Sequence, residues 1–371
     1  MQGRKPVKAA SSVCVTVPNR VDLAGGTLDI YPLYLLVPGS MTVNAAIEIN
    51  SLVRIVPVRG PSRLRSENFS TAAEAPDTHG FSAESRLGLI AAALRFFPPV
   101  AGIEIRFRNE APLGSGIGAS SSLLVATMLA MDALLGRRRG WEETARAAME
   151  IEAAHLRSLT GRQDHVAALR GGVLGIRFQP GRLEVKRIGA GSGEARKLAA
   201  HGFVAGTGKA HHSAGVNWRM IRGAIEGKPE VLRKFRGIAA AAREAWEAVR
   251  CGEIVEAGRA VGREWAIRKT LAHGVSTAKV EKALAAREFR RRVAGAKLCG
   301  AGGGGMLFGL MRGSEERDKV EAFLRSEGFS IYPFRLSAGP RVTVAGDTLS
   351  GDTLGGDTLG GDTHSTWYLS Q

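Results

Sequence analysis

Cysteine is scarce, and its spacing forms no pattern. Cys14, Cys251 and Cys299 are the only three in 371 residues, and an odd, scattered set argues against a disulfide framework, so a reducing, cytoplasmic setting is expected. Long apolar runs are missing too. No stretch approaches the roughly 18–20 residues of a membrane span. Even the richest, 122–135, is interrupted by Thr127 and Asp132, and the start Met1-Gln2-Gly3-Arg4-Lys5 lacks the apolar segment of a signal peptide. No membrane partner is expected. A concentrated basic tract is the third absence. The 51 Lys+Arg against 35 Asp+Glu give a formal net charge of +16, but the arginines are spread through helix-like segments, so nucleic acid is not expected either. A diffuse positive field suits small polyanions, whose local concentration it raises.

What is present is apolar content of 44% over a length sufficient for two cores, because a single core stops growing at roughly 250–300 residues. Residues 13–17, 43–49, 52–58 and 103–107 read as strands, with 173–176 and 183–188 after them. Residues 84–97 read as a helix. Leu124, Met128, Met131 and Leu135 recur at i, i+4, i+7 and i+11, one buried helical stripe. A further helix over 142–159 puts Ala148, Glu152 and His155 on one face. Residues 59–80, rich in Ser, Pro and Glu, read as a surface excursion. The best boundary lies at 190–200, in a run of glycines, and the second half is mainly helical over 213–284. The expected organisation is α+β, with domains at 1–195 and 196–345. From Gly346 the triplet Gly-Asp-Thr repeats at 346, 351, 356 and 361 with almost nothing to bury, so 346–371 is expected to be a disordered tail.

The most informative segment is Pro112-Leu113-Gly114-Ser115-Gly116-Ile117-Gly118-Ala119-Ser120-Ser121-Ser122. Alternate glycines let a backbone turn tightly and bring its N–H groups close to an anion, and the helix that follows adds its positive dipole end. A serine in the first helical turn can reach a magnesium ion bridging phosphates. The spacing matches neither a P-loop nor a dinucleotide fingerprint. Taken alone, the segment could also be a serine-capped turn between strand and helix.

Three other segments join it: Pro18-Asn19-Arg20-Val21-Asp22-Leu23-Ala24-Gly25-Gly26-Thr27-Leu28-Asp29, Gly161-Arg162-Gln163-Asp164-His165, and Gly295-Ala296-Lys297-Leu298-Cys299-Gly300-Ala301-Gly302-Gly303-Gly304-Gly305. Together the four resemble the GHMP kinases, the family of galactokinase, homoserine kinase and mevalonate kinase. Gly25-Gly26-Thr27-Leu28-Asp29 looks more like the fucokinase and heptose 7-phosphate kinase branch than like galactokinase. The resemblance implies an N-terminal domain like ribosomal protein S5 domain 2 and a ferredoxin-like C-terminal domain. It also implies ATP and magnesium as cofactors, and transfer of a phosphoryl group to a sugar or sugar phosphate, at the anomeric hydroxyl. A mevalonate-pathway kinase or decarboxylase is the alternative within the fold, and a non-catalytic regulator that senses sugar and ATP the alternative outside catalysis. A monomer or homodimer is expected.

Residue by residue, the resemblance implies Asp164 as the base that takes the hydroxyl proton, with an N-cap as its alternative. It implies Arg20 as the arginine that stabilises charge at the transferring group, with a structural ion pair as its alternative. Pro112, Gly114, Ser115, Gly116, Ile117, Gly118, Ala119, Ser120 and Ser121 would cradle ATP, supported by Gly302 and Gly303 from the other domain. Glu152 and Ser120, or Ser121 beside it, would hold magnesium. Asp22, Gly25, Gly26 and Asp29 would receive the acceptor. Lys209 and His211 are the candidates for a phosphate on it.

Overall fold

A computed structural model describes residues 7–8, 11–209, 213–345 and 365–367. The N-terminal domain is built on β1 (Ser12–Ala24) and β2 (Met41–Pro57), a long antiparallel pair. At 17 residues, β2 has room for two neighbours on its far edge. Its second half pairs with β5 (Ile103–Asn109), which continues to the hairpin of β3 (Ser62–Ser66) and β4 (Thr71–Ala75). Its first half pairs with β6 (Val173–Gln179), which continues to β7 (Arg182–Ile188).

Burial along β1 explains the layering. Residues 12–16 alternate between buried and half-buried, as a strand with one covered face must, whereas 17–24 are buried on both faces. One face is covered throughout by α1 (Gly88–Leu94), α2 (Ala119–Leu134), α3 (Trp141–Leu156) and α4 (Gln163–Arg170). The other face is covered only at the 17–24 end, by the second domain. Val21, Leu23, Met41 and Val43 join Ala242, Trp246, Val249 and Val261 in one apolar cluster. The α2 helix is apolar nearly all round, with Leu124, Val125, Met128 and Met131 fully buried, the pattern of a helix enclosed on every side.

The second domain has a four-stranded antiparallel sheet in the order β9 (Val293–Leu298), β10 (Met306–Met311), β8 (Gly202–Gly206), β11 (Ser330–Tyr332). The helices α5 (Ser213–Ile225), α6 (Pro229–Arg250) and α7 (Ile254–Arg268) precede β9, and α8 (Arg317–Ser326) follows β10. Buried Phe203, Phe235, Trp265, Phe289 and Leu307 form its own core.

Three expectations need correction. The excursion at 59–80 contains the β3–β4 hairpin, in which Leu64 and Ala75 are buried while Phe69 and Ala72 stay exposed. Arg341–Ala345, placed by sequence in the second domain, forms β12 and pairs with β1, so the chain returns to the first sheet. Ser365–Trp367, inside the expected tail, forms β13 against β12. The Gly-Asp-Thr repeats themselves lie outside the described residues.

Candidate active site

The glycine loop leaves β5 at Asn109 and enters α2 at Ala119. Gly114, Gly116 and Gly118 hold φ values of +66°, +72° and +78°, a left-handed region that strains other L-residues. Gly118 is the N-cap of α2 and offers no side chain, so the first amides of the helix are left for another acceptor. Asn109 fastens the loop at both ends: its Oδ1 accepts from the Ala111 amide at 2.8 Å and its Nδ2 donates to the Ala119 carbonyl at 2.9 Å. From the second domain the carbonyl of Ser115 accepts the Met306 amide at 2.8 Å. A Cβ on Gly116 would lie 2.7 Å from the Cys299 carbonyl. The two glycine loops therefore meet backbone to backbone.

Asp164 opens α4 opposite that loop. A Cβ on Gly118 would sit 3.2 Å from its Oδ2. Arg20, 4% exposed on β1, donates through Nε to Asp164 Oδ1 at 2.8 Å and through Nη1 to the Gly116 carbonyl at 2.8 Å. One guanidinium thus ties the carboxylate to the glycine loop. Burial opposes the charge of Arg20, but Asp164 and Asp22 outweigh it and raise its pKa.

Beside Asp164, Asp29 accepts from the Gln163 amide at 3.1 Å and from Gln163 Nε2 at 3.4 Å. Any Cβ at Gly161 would run into the Asp29 carboxylate, which is why the turn before Asp164 needs a glycine. Burial, reinforced by the nearby Asp164, pushes Asp29 up to about 6. Against the first turn of α2, Glu152 is buried on α3, accepting from Ser121 Oγ at 2.8 Å, with His165 Nε2 at 3.0 Å. Burial works against its charge, yet hydrogen bonds from His165, Ser120 and Ser121 hold it below the ordinary glutamate value. Arg20, Asp29, Ser121, Glu152, Gln163 and Asp164 face one cleft of about 250 Å³.

Of the residues singled out by sequence, Arg20, Gly26, Asp29, Gly114, Ser115, Gly116, Gly118, Ala119, Ser120, Ser121, Glu152 and Asp164 line that cleft. Asp22 does not. It is fully buried against Lys297 Nζ at 2.8 Å, and its role is corrected to that of a core charge. Gly25 is packed on the Met41 carbonyl, and Ile117 is a core side chain. Pro112 is exposed outside the cleft. Gly302 and Gly303 turn toward Val275 instead; Gly300 and Ala301 face the cleft in their place. Lys209 is exposed and does not line the cleft; its carbonyl accepts the Gly305 amide at 2.8 Å and its amide donates to Thr207 Oγ1 at 3.3 Å. His211 lies outside the described residues. Sequence reasoning gave no role to Gln163 or His165, although both flank Asp164 in its motif, and nothing local singles out Thr27 or Asn217, which also line the cleft.

In this two-domain α+β protein a glycine loop opens a helix whose first amides can hold an anion, and an arginine holds a carboxylate against that loop. The family models for the GHMP kinases N terminal domain and the GHMP kinases C terminal match residues 86–172 and 239–330. The chain thus carries both the N-terminal and the C-terminal GHMP kinase domain. It is 26% identical over 345 residues to L-fucokinase/L-fucose-1-P guanylyltransferase of Bacteroides fragilis, covering 83% of this chain but only 35% of that longer protein. It is 26% identical over 242 residues to mevalonate kinase of Archaeoglobus fulgidus, covering 62% of this chain and 74% of the relative. A D-glycero-D-manno-heptose 1-phosphate kinase from Bacteroides thetaiotaomicron shares the fold, with a TM-score of 0.71 at 22% identity over 89% of this chain and 98% of the other. No helix among the described residues is long and apolar enough to cross a membrane.

Proposed function

We propose that this chain transfers the γ-phosphoryl group of ATP to a sugar hydroxyl, most simply the anomeric one. The observation that carries this reading is the approach of Asp164 to Gly118 at the uncapped start of α2, with Arg20 bridging carboxylate and loop. The residues present suit a nucleotide's phosphates. Three left-handed glycines and the free amides of α2 form an anion cradle, and the buried Ser115 Oγ faces it without a protein partner. Ser120, Ser121 and Glu152 would hold magnesium, which supplies charge neutralisation between phosphates.

In this reading Asp164 takes the proton of the attacking hydroxyl, and Arg20 steadies both the carboxylate and the charge that develops beside Gly116. Asp29 accepts hydrogen bonds from neighbouring hydroxyls and orients the acceptor. Three carboxylates, Asp29, Glu152 and Asp164, line the cleft, and Arg20 is the one cation among its described lining residues. That balance favours a polyol over mevalonate, whose carboxylate would find no free cation among those residues, Arg20 being already paired with Asp164. The fucokinase named among the relatives supports a sugar, while the mevalonate kinase keeps the second reading in view.

The test is ADP release with magnesium and ATP over fucose, galactose, mannose, phosphorylated heptoses and mevalonate. Turnover on a sugar is expected. Silence on every sugar with turnover on mevalonate would transfer the protein to the second reading, and silence on all would favour a sensing role.

A further inference from the structure

Two of the largest fully buried side chains in the protein are charged: Arg268 at the end of α7 and Lys297 on β9, both with 0% exposure. A buried ion cluster is a poor way to gain stability, since apolar replacements of similar shape often do as well. Its geometry points elsewhere. Arg268 donates to Glu264 through Nε at 2.7 Å, to the Thr27 hydroxyl through Nη1 at 3.0 Å, and to the Gly26 carbonyl through Nη2. Lys297 donates to Asp22 at 2.8 Å and to Glu264 at 3.2 Å. Asp22 Oδ2 in turn abuts Gly26, where a Cβ would collide with it.

The turn held in this way carries the acceptor face of the cleft, and it is strained. Thr27 has φ +75°, unfavourable for a β-branched residue. Its local hydrogen bonds, Leu28 N to Gly25 O and Ile30 N to Thr27 O, are both 3.1 Å. Asp29 follows two residues later. A guanidinium spreads its donors over three nitrogens in a planar fork and so reaches a carbonyl, a hydroxyl and a carboxylate that lie apart, whereas a lysine donates from a single atom.

We infer that Arg268 is a positioning residue for the acceptor: from the second domain it clamps Gly26 and Thr27, and through them sets Asp29 against Asp164. This rests on the proposed sugar-kinase reading. Lys297 supports the clamp by neutralising Asp22 and Glu264 beneath it. Acceptor recognition is therefore completed across the domain interface by a side chain that does not itself line the cleft.

Arg268→Lys keeps the charge but loses the fork. Thr27→Val keeps the shape but removes the hydroxyl that Arg268 holds. Both are compared with the parent by ADP release for acceptor KM and kcat, by nucleotide-analogue binding, and by thermal unfolding. The expected result is an acceptor KM raised about tenfold or more in Arg268→Lys and raised in the same direction in Thr27→Val, with nucleotide affinity within about twofold. If Arg268→Lys does not fold, Thr27→Val decides. An unchanged acceptor KM in a folded variant, or equal losses for acceptor and nucleotide, overturns the clamp. A parent protein silent on every sugar overturns the functional reading instead, so the two failures are distinguishable.

Discussion

Asp29 shows how one residue can serve binding against stability. Its folded-state pKa of about 6 lies above the ordinary 3.8, first because it is buried and then because Asp164 is near. Between those two values the folded state holds more proton than the unfolded chain, so stability falls as pH rises from about 4 to about 6. Asp29→Asn removes that penalty and is expected to raise stability near pH 7 by at most about 3 kcal/mol, measured by denaturant unfolding. Under the proposed sugar-kinase reading the same change weakens a directed hydrogen-bond acceptor for the substrate, and acceptor KM is expected to rise. In the parent, acceptor KM is expected to climb as pH drops through about 6, because a protonated Asp29 accepts less well; a flat profile from pH 5 to 8 would remove Asp29 from the acceptor site.

At the scale of elements, the two glycine loops act as one device. Gly116→Ala places a methyl against the Cys299 carbonyl and forces φ +72° on a residue that resists it. A loss of about 1–2 kcal/mol from the backbone alone is expected, with weakened nucleotide binding, both readable from melting curves with and without an ATP analogue. Elements with a strong local period were legible in sequence. The stripe of α2 and the glycine loop before it stand where spacing put them, because tight turns and enclosed helices write their needs into consecutive residues. The β3–β4 hairpin was not legible, since Leu64 is the one fully buried apolar side chain in it and the other inward positions of β3, Ser62 and Ser66, are polar. The return of β12 to β1 was invisible for a different reason: pairing between residues about 330 apart leaves no local trace.

The whole molecule is held together at the interface that makes its site. Apolar contacts from both domains fill it, and the Lys297, Asp22, Glu264 and Arg268 charges lie inside it. Burial opposes the charge of Asp22, but Lys297, Arg268 and Arg20 hold its pKa below the usual value. Lys297→Met is expected to destabilise the protein by about 3–5 kcal/mol near neutral pH by leaving carboxylates uncompensated. The deficit should narrow as pH falls, because Asp22 without Lys297 takes up a proton more readily than in the parent. The sequence motifs located Arg20, Asp29, Glu152 and Asp164, but they also assigned Asp22 to the acceptor, because a motif lists neighbours without saying which way each faces. Lys297 and Glu264, which decide that orientation, lie 275 and 242 positions further along the chain. The central claim is that Asp164 serves chemistry at a phosphate cradle, and Asp164→Asn tests it most directly when ADP release and nucleotide-analogue affinity are measured on the same folded sample. Turnover reduced about 10²–10⁴-fold with nucleotide affinity nearly unchanged is the result expected; turnover equal to the parent's would contradict it.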